Sequence, residues 1–257
     1  MSNIASSVGL PVLSGPWFAA SFLLGVALLL VNLLLRPDPQ IIAREWESRD
    51  STGEKGRLYR EILRDSNAKL ATGALIFGQL AMIMVMTITP LHMHVGHHGL
   101  TAISLVIMAH TLGMFGLSFV TGWLVDKLGH ARVILIGGVL LVVACLSAPF
   151  RNDVPTLAAA LCLLGLGWNF CFVAGSALLA TVLRPDERGR VQGLTDAFVS
   201  IASGLGSVGS GLVFATLGFT AMSWSTTLVA ALPIGLVLLF HYRRKIELVF
   251  DSKRGSS

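Results

Sequence analysis

The chain has 257 residues, 54% of them hydrophobic and only 13% charged, about half the charge density of an ordinary soluble domain. Its net charge of +5 sits in short segments between apolar runs, with no basic stripe interleaved with aromatics, so a nucleic-acid partner is excluded. Disordered, collagenous and disulfide-rich secreted classes are excluded as well.

Residues 1–35 carry no Asp, Glu, Lys or Arg, and neither do 70–125, 133–150 and 154–183; residues 191–242 carry only Asp196. Charge at the centre of the hydrocarbon costs about 2.5–3.5 kcal/mol on insertion scales, so spanning helices shed it and connections keep it. Cutting the runs at polar or Gly/Pro breaks predicts an all-α integral membrane bundle of seven transmembrane helices: 17–35, 70–91, 101–124, 133–150, 155–183, 191–214 and 219–240. Residues 1–16 lack a basic n-region and a small-residue cleavage site, so 1–35 reads as a tail and a retained first span.

Segment 36–69 holds eight basic and seven acidic residues and reads as a charged cytoplasmic linker. Within it Leu58, Ile62 and Leu63 are spaced as one face of an amphipathic interfacial helix. Residues 70–240 form the six-helix bundle and 241–257 a cytoplasmic tail. With the N-terminus outside, segments 36–69, 125–132, 184–190 and 241–257 hold 18 of the 19 Lys and Arg residues. That asymmetry orients the linker and C-terminus to the cytoplasm of a cell (plasma or inner) membrane.

Polar side chains inside the spans are candidates for a central cavity. These are Gln79, His110 and Asn169, with Trp224 beside Ser223, Ser225, Thr226 and Thr227. His92, His94, His97 and His98 form a histidine-rich outer loop, a weak metal candidate because Gly96 and Gly99 predict a loop too flexible to fix a tetrahedron. Asp196 lies about 8 Å past the cytoplasmic start of its span. It is a candidate for gating or proton coupling, and the lack of a basic residue at i±4 favours a partner on another helix. Gly204, Gly206 and Gly209 imitate a dinucleotide fingerprint but lack its strand and acidic residue; with Ser203, Ser207 and Gly211 they read as a helix-packing surface. No cofactor and no enzymatic motif is expected, and Cys145, Cys162 and Cys171 read as buried small hydrophobes.

Residues 122–132, GWLVDKLGHAR, join two spans on the cytoplasmic side. Gly122 and Gly129 permit a tight turn and close helix approach, Asp126 can accept hydrogen bonds from a neighbouring helix N-terminus, and Lys127 and Arg132 supply inside charge. In Gly122, Leu124, Asp126, Lys127 and Gly129 the segment resembles the signature loop of the major facilitator superfamily, although His130 and Ala131 stand where basic residues are common. The RPDERGR segment at 184–190 is similar to an acidic-x-Arg-Gly pattern of that family. The resemblance implies a secondary transporter of a small organic solute, with or without proton coupling, working by alternating access between two six-helix halves. It also implies that this chain corresponds to helices six to twelve, the C-terminal half. A missing N-terminal half or a second half-transporter chain would then be a partner, along with the bilayer and the solute. A seven-helix receptor or sensor, or a non-transporting accessory subunit, is the alternative.

Overall fold

A computed structural model of the chain describes residues 15–36, 41, 57–149 and 153–242. Most of the predicted linker, the first 14 residues and most of the predicted tail lie outside the described residues. The chain divides into two units, Met1–Lys55 and Gly56–Ser257. In the first, helix α1 (Gly15–Leu34) has 20 residues and no charge, enough at 1.5 Å per residue to span about 30 Å of hydrocarbon. Its end is closed by side chains: the Asn32 amide donates to the Leu28 carbonyl at 2.8 Å, and Arg36 Nε donates to the Asn32 carbonyl at 3.1 Å.

Among its described residues the second unit consists of helices and short turns, with no strand. Its elements are α2 (Tyr59–Ile62), α3 (Ser66–Val95), α4 (Leu100–Phe115), α5 (Ser118–Leu128), α6 (His130–Ser147), α7 (Val154–Val182), α8 (Pro185–Ala230) and α9 (232–242). Among the described residues six helical runs are long and apolar enough to cross a membrane, the last running from Pro185 to Tyr242. That run has 58 residues, far more than one crossing needs. Gly218 divides it, with φ 80° and ψ −179°, a conformation that glycine adopts without steric cost.

Contacts show that the two parts run in opposite directions. Near the start of α8, Thr195 Oγ1 lies 3.3 Å from Tyr59 Oη; just after Gly218, the Phe219 ring stacks on His92 at the far end of α3. Leu236 and Phe240 then line a cavity of about 200 Å³ with Ser66 and Lys69, back at the first end. The predicted spans 191–214 and 219–240 are therefore an outgoing and a returning crossing. One end of the bundle carries most of the charge and is here called the basic end; the other is the histidine end.

Three expectations are corrected. The amphipathic helix at the linker's end shrinks to the single turn α2, in which Ile62 is buried but Leu58 is 63% exposed, so the two do not share a face. The chain turns because Asp65 is extended and caps α3, accepting from the Asn67 and Ala68 amides at 2.6 and 3.3 Å. The span predicted at 101–124 is two helices, broken at Gly116 and Leu117 between α4 and α5. The histidine loop is closed by a pair of amide bonds, His98 N to Met93 O at 3.0 Å and His97 N to His94 O at 3.1 Å.

Helix α7 is the hub, packing on α3, α4, α5 and α6. Its approach to α4 is made at two glycines: a Cβ on Gly165 would collide with the His110 carbonyl, and one on Gly113 with the Cys162 carbonyl. Without a hydrophobic driving force between helices in lipid, this close backbone approach supplies van der Waals contact. Gly129, with φ 83°, is the whole connection between α5 and α6.

Candidate functional site

Near the midpoints of α3 and α7, Trp168 Nε1 donates to Gln79 Oε1 at 2.6 Å. The Trp168 ring stacks on Phe172 with centroids 4.8 Å apart and planes 17° apart, and Phe115 at the end of α4 meets Trp168 edge-on at 6.1 Å. Trp168 is buried, whereas Phe172 is 38% and Phe115 61% exposed, and Gln79 keeps part of its surface open. One amide and three rings thus meet where three crossings reach mid-depth, on a side that the other helices of the second unit leave open. Of the four cavity candidates only Gln79 belongs to this group. Trp168 was not anticipated; its position beside Asn169, in the middle of an apolar run, was the available signal.

His110 and Asn169 instead sit inside the α4–α5–α7 contact. His110 Nδ1 lies 2.9 Å from the Leu161 carbonyl, and its buried Nε2 has no hydrogen-bond partner among the described residues. Asn169 repairs the helix break: its amide nitrogen donates to the Met114 carbonyl at 2.6 Å and to Ser118 Oγ at 2.8 Å, while its oxygen accepts from Thr121 Oγ1. The break between α4 and α5 would otherwise leave the Met114 carbonyl unpaired at membrane depth.

Trp224 is 56% exposed on the returning part of α8. Its neighbours mostly bond within their own helix, Ser225 to Ala221 O, Thr226 to Met222 O and Thr227 to Ser223 O. Ser223 alone reaches across, donating to the Cys145 carbonyl of α6 at 3.0 Å. Asp196 is exposed on the outgoing part of α8 and accepts from Gln192 Nε2 at 3.1 Å. The partner expected on another helix is thus the i−4 residue of its own. Among the glycines of that segment Gly206 packs tightly, against Leu80 of α3, whereas Gly204, Gly209 and Gly211 border open space.

The signature-loop residues lie on α5 and at the α5–α6 turn. Leu124 packs against the core and Lys127 Nζ lies 4.2 Å over the Trp123 ring. Asp126 is exposed and makes no hydrogen bond among the described residues. Gly129 is the turn residue, Arg132 is exposed in the first turn of α6, and Gly122 borders open space, so no close approach depends on it. The histidines are dispersed. His92 stacks on Phe219 at 4.0 Å, His94 and His97 are exposed, His98 is half-buried, and no metal-holding group of three His, Cys, Asp or Glu residues occurs among the described residues.

At the basic end the structure brings together residues that sequence reasoning assigned only to loops. Arg57 Nε and Nη2 donate to Glu187 Oε1 and Oε2 at 2.9 and 2.7 Å, and the Arg57 amide donates to Oε1 at 2.9 Å. The Arg184 amide adds a fourth bond at 3.1 Å. Arg57 Nη2 also donates to the Val182 carbonyl at 3.1 Å, and Arg190 donates to the Arg57 carbonyl. The Glu187 side chain has no exposed surface, while that of Arg57 is 36% exposed. The hydrogen bond from Arg57, helped by the two amides, holds the Glu187 carboxyl far below the usual carboxylate range, at about 2. The same bond raises the Arg57 pKa. The pair joins the start of the second unit to the turn between α7 and α8, ahead of the apolar stretch of α8.

Residues 74–256 match the family model described as Major Facilitator Superfamily. The chain is 34% identical over 243 residues to the uncharacterized MFS-type transporter YdeG of Bacillus subtilis, covering 93% of this chain and 56% of that protein. It is 32% identical over 250 residues to the uncharacterized MFS-type transporter YddS of the same organism, covering 95% and 57%. To the riboflavin transporter RfnT of Brucella anthropi it is 32% identical over 227 residues, covering 86% and 56%. The chain therefore spans somewhat over half the length of the curated relatives it matches.

Proposed function

Because the chain belongs to the major facilitator superfamily and is a multi-pass membrane protein, we propose that it takes part in moving a small organic solute across a membrane by alternating access. The observation that carries this reading is the Gln79–Trp168–Phe172–Phe115 group, an amide and three rings presented at mid-depth by α3, α4 and α7. In a solute cavity a few convergent polar groups among apolar walls fix orientation. We place the basic end in the cytoplasm of the plasma or inner membrane, since 18 of the 19 Lys and Arg residues lie in the segments on that side.

In this reading the chain corresponds to the C-terminal half, and the uncovered side of α3, α4 and α7 faces a second six-helix half that completes the cavity. That half is supplied by further sequence or by another chain. Similarity to a riboflavin transporter makes riboflavin the first solute to assay. Asp196 is the acidic residue within the last crossings, and proton coupling is assigned to it in this proposal.

Uptake into proteoliposomes, with and without an imposed proton gradient, tests the reading. Saturable, gradient-driven accumulation that Asp196→Asn makes independent of the gradient supports both transport and coupling. Accumulation with unchanged gradient dependence in that variant removes Asp196. No accumulation of any of a broad solute panel by the chain together with a complementary half removes the transport reading.

A further inference from the structure

We propose that Phe172, Trp168 and Gln79 form a subsite for a planar, uncharged heteroaromatic ring that carries a hydrogen-bond acceptor at its edge; this rests on the transport reading above and names its substrate class. The argument begins with the indole. Its N–H is a donor and has no acceptor capacity, so the Gln79 amide must turn its oxygen to Trp168. The orientation of the amide is thereby set, and its NH₂ group becomes the offered half. Among the described residues no protein acceptor takes it up, and Gln79 retains open surface. The ligand group that complements it is a carbonyl or a ring nitrogen.

The rings define the rest. Phe172 lies nearly parallel to Trp168, with one face against the indole and 38% of its surface free. A third ring can extend such an offset stack, and Phe115, edge-on to Trp168, borders the same group. A flat aromatic molecule can extend the Phe172 stack and meet Phe115 at once, whereas a polyol or an aliphatic acid has no ring face to stack. Charge is disfavoured because residues 70–125 and 154–183, which contribute every member of the group, contain no Asp, Glu, Lys or Arg. An ion would find no Asp, Glu, Lys or Arg within these intervals to pair with and would lose its hydration.

The test uses the full chain in lipid nanodiscs, with Trp17, Trp46, Trp123 and Trp224 replaced by Phe so that Trp168 alone emits. Caffeine and lumichrome are the probes, both flat, uncharged and rich in acceptors, with mannitol as the polyol comparison. Saturable quenching of Trp168 by the ring compounds and none by mannitol is expected. Gln79→Leu and Phe172→Leu should each weaken it by roughly three- to tenfold. Gln79→Met serves if the leucine variant does not fold. Absence of saturable quenching by both ring compounds, or quenching unchanged in the folded Gln79 and Phe172 variants, overturns the subsite. Flux of the same probes in proteoliposomes separates the two proposals. Probes that bind through Gln79 and Phe172 but are not moved support the subsite and count against transport. Probes that are moved with no effect of either substitution leave transport standing and overturn the subsite.

Discussion

Arg57 grips Glu187 through both of its carboxylate oxygens, across 130 residues of sequence, and closes the basic end of the bundle onto the turn before α8. The carboxylate is fully covered and accepts four hydrogen bonds, two from the guanidinium and two from backbone amides. Charge-assisted, two-pronged pairs of this kind are about twice as strong as neutral hydrogen bonds.

Replacing Glu187 with Gln should therefore destabilise the folded bundle by about 1.5–3 kcal/mol, seen as lower thermal stability in detergent and faster proteolysis near Arg57. Arg57 is partly exposed, so the loss should fall short of that for a fully buried pair. An unchanged melting profile together with unchanged proteolysis would show that the grip adds nothing.

Acid titration of the same pair has a definite sign. Glu187 ionises at about 2 in the folded chain against an ordinary value of 4.5, so its contribution is complete above about pH 4.5 and declines as pH falls toward 2. The stability gap between the natural chain and Glu187→Gln should be constant from pH 7 to 5 and narrow below 4.5. A gap that widens on acidification contradicts the assignment.

Asn169→Ala should cost about 1–3 kcal/mol, because the Met114 carbonyl and the Ser118 and Thr121 hydroxyls lose their shared partner inside the membrane. Thr121→Val should cost less, since its single hydroxyl proton is shared between the Asn169 oxygen and the Leu117 carbonyl one turn back. Denaturant unfolding in mixed micelles ranks the two, and equal stability of all three proteins would mean that the helix break needs no side-chain repair.

Substituting Ala at Gly165 and at Gly122 should give opposite results. At Gly165 the new methyl meets backbone of α4, and separating the helices should cost about 1–3 kcal/mol; at Gly122 it meets open space and should be tolerated. Thermal shift of the two variants, purified alike, reads the difference, and equal shifts would contradict the packing at Gly165.

His97 has φ 59°, the left-handed region in which a side chain costs about 1–2 kcal/mol. His97→Gly should relieve part of that and raise stability by up to about 1 kcal/mol, offset by the freer unfolded chain. A drop in melting temperature would show that the imidazole makes a contact worth more than the backbone cost.

The crossings were legible in the sequence because hydrocarbon expels charge, and the empty intervals 70–125 and 154–183 mark their extent directly. Where a crossing breaks was less legible. Gly116 looks no different in sequence from Gly113 or Gly122, yet only its neighbourhood ends a helix, because Asn169 on α7 is placed to accept the consequence. The mid-depth group was half legible: Gln79 stands out as an amide in an apolar run, but a tryptophan there is ordinary until its neighbours are known. Glu187 was hidden differently. In RPDERGR its pattern is that of a solvated loop, and the partner that buries it lies outside any local window. Asp196 shows the reverse case, a carboxylate conspicuous in sequence whose partner is the nearby Gln192.

Gly218 has a mechanical consequence. It joins the last two crossings with no intervening loop, and the returning one is fastened at once by the Phe219 stack on His92 and by the bond from Ser223 to Cys145. The outgoing crossing, which carries Asp196, thus has a short tether at the histidine end and a longer arm toward the basic end. If it tilts, Gly218 is its fulcrum, and displacement grows along the arm toward the turn that Arg57 clasps.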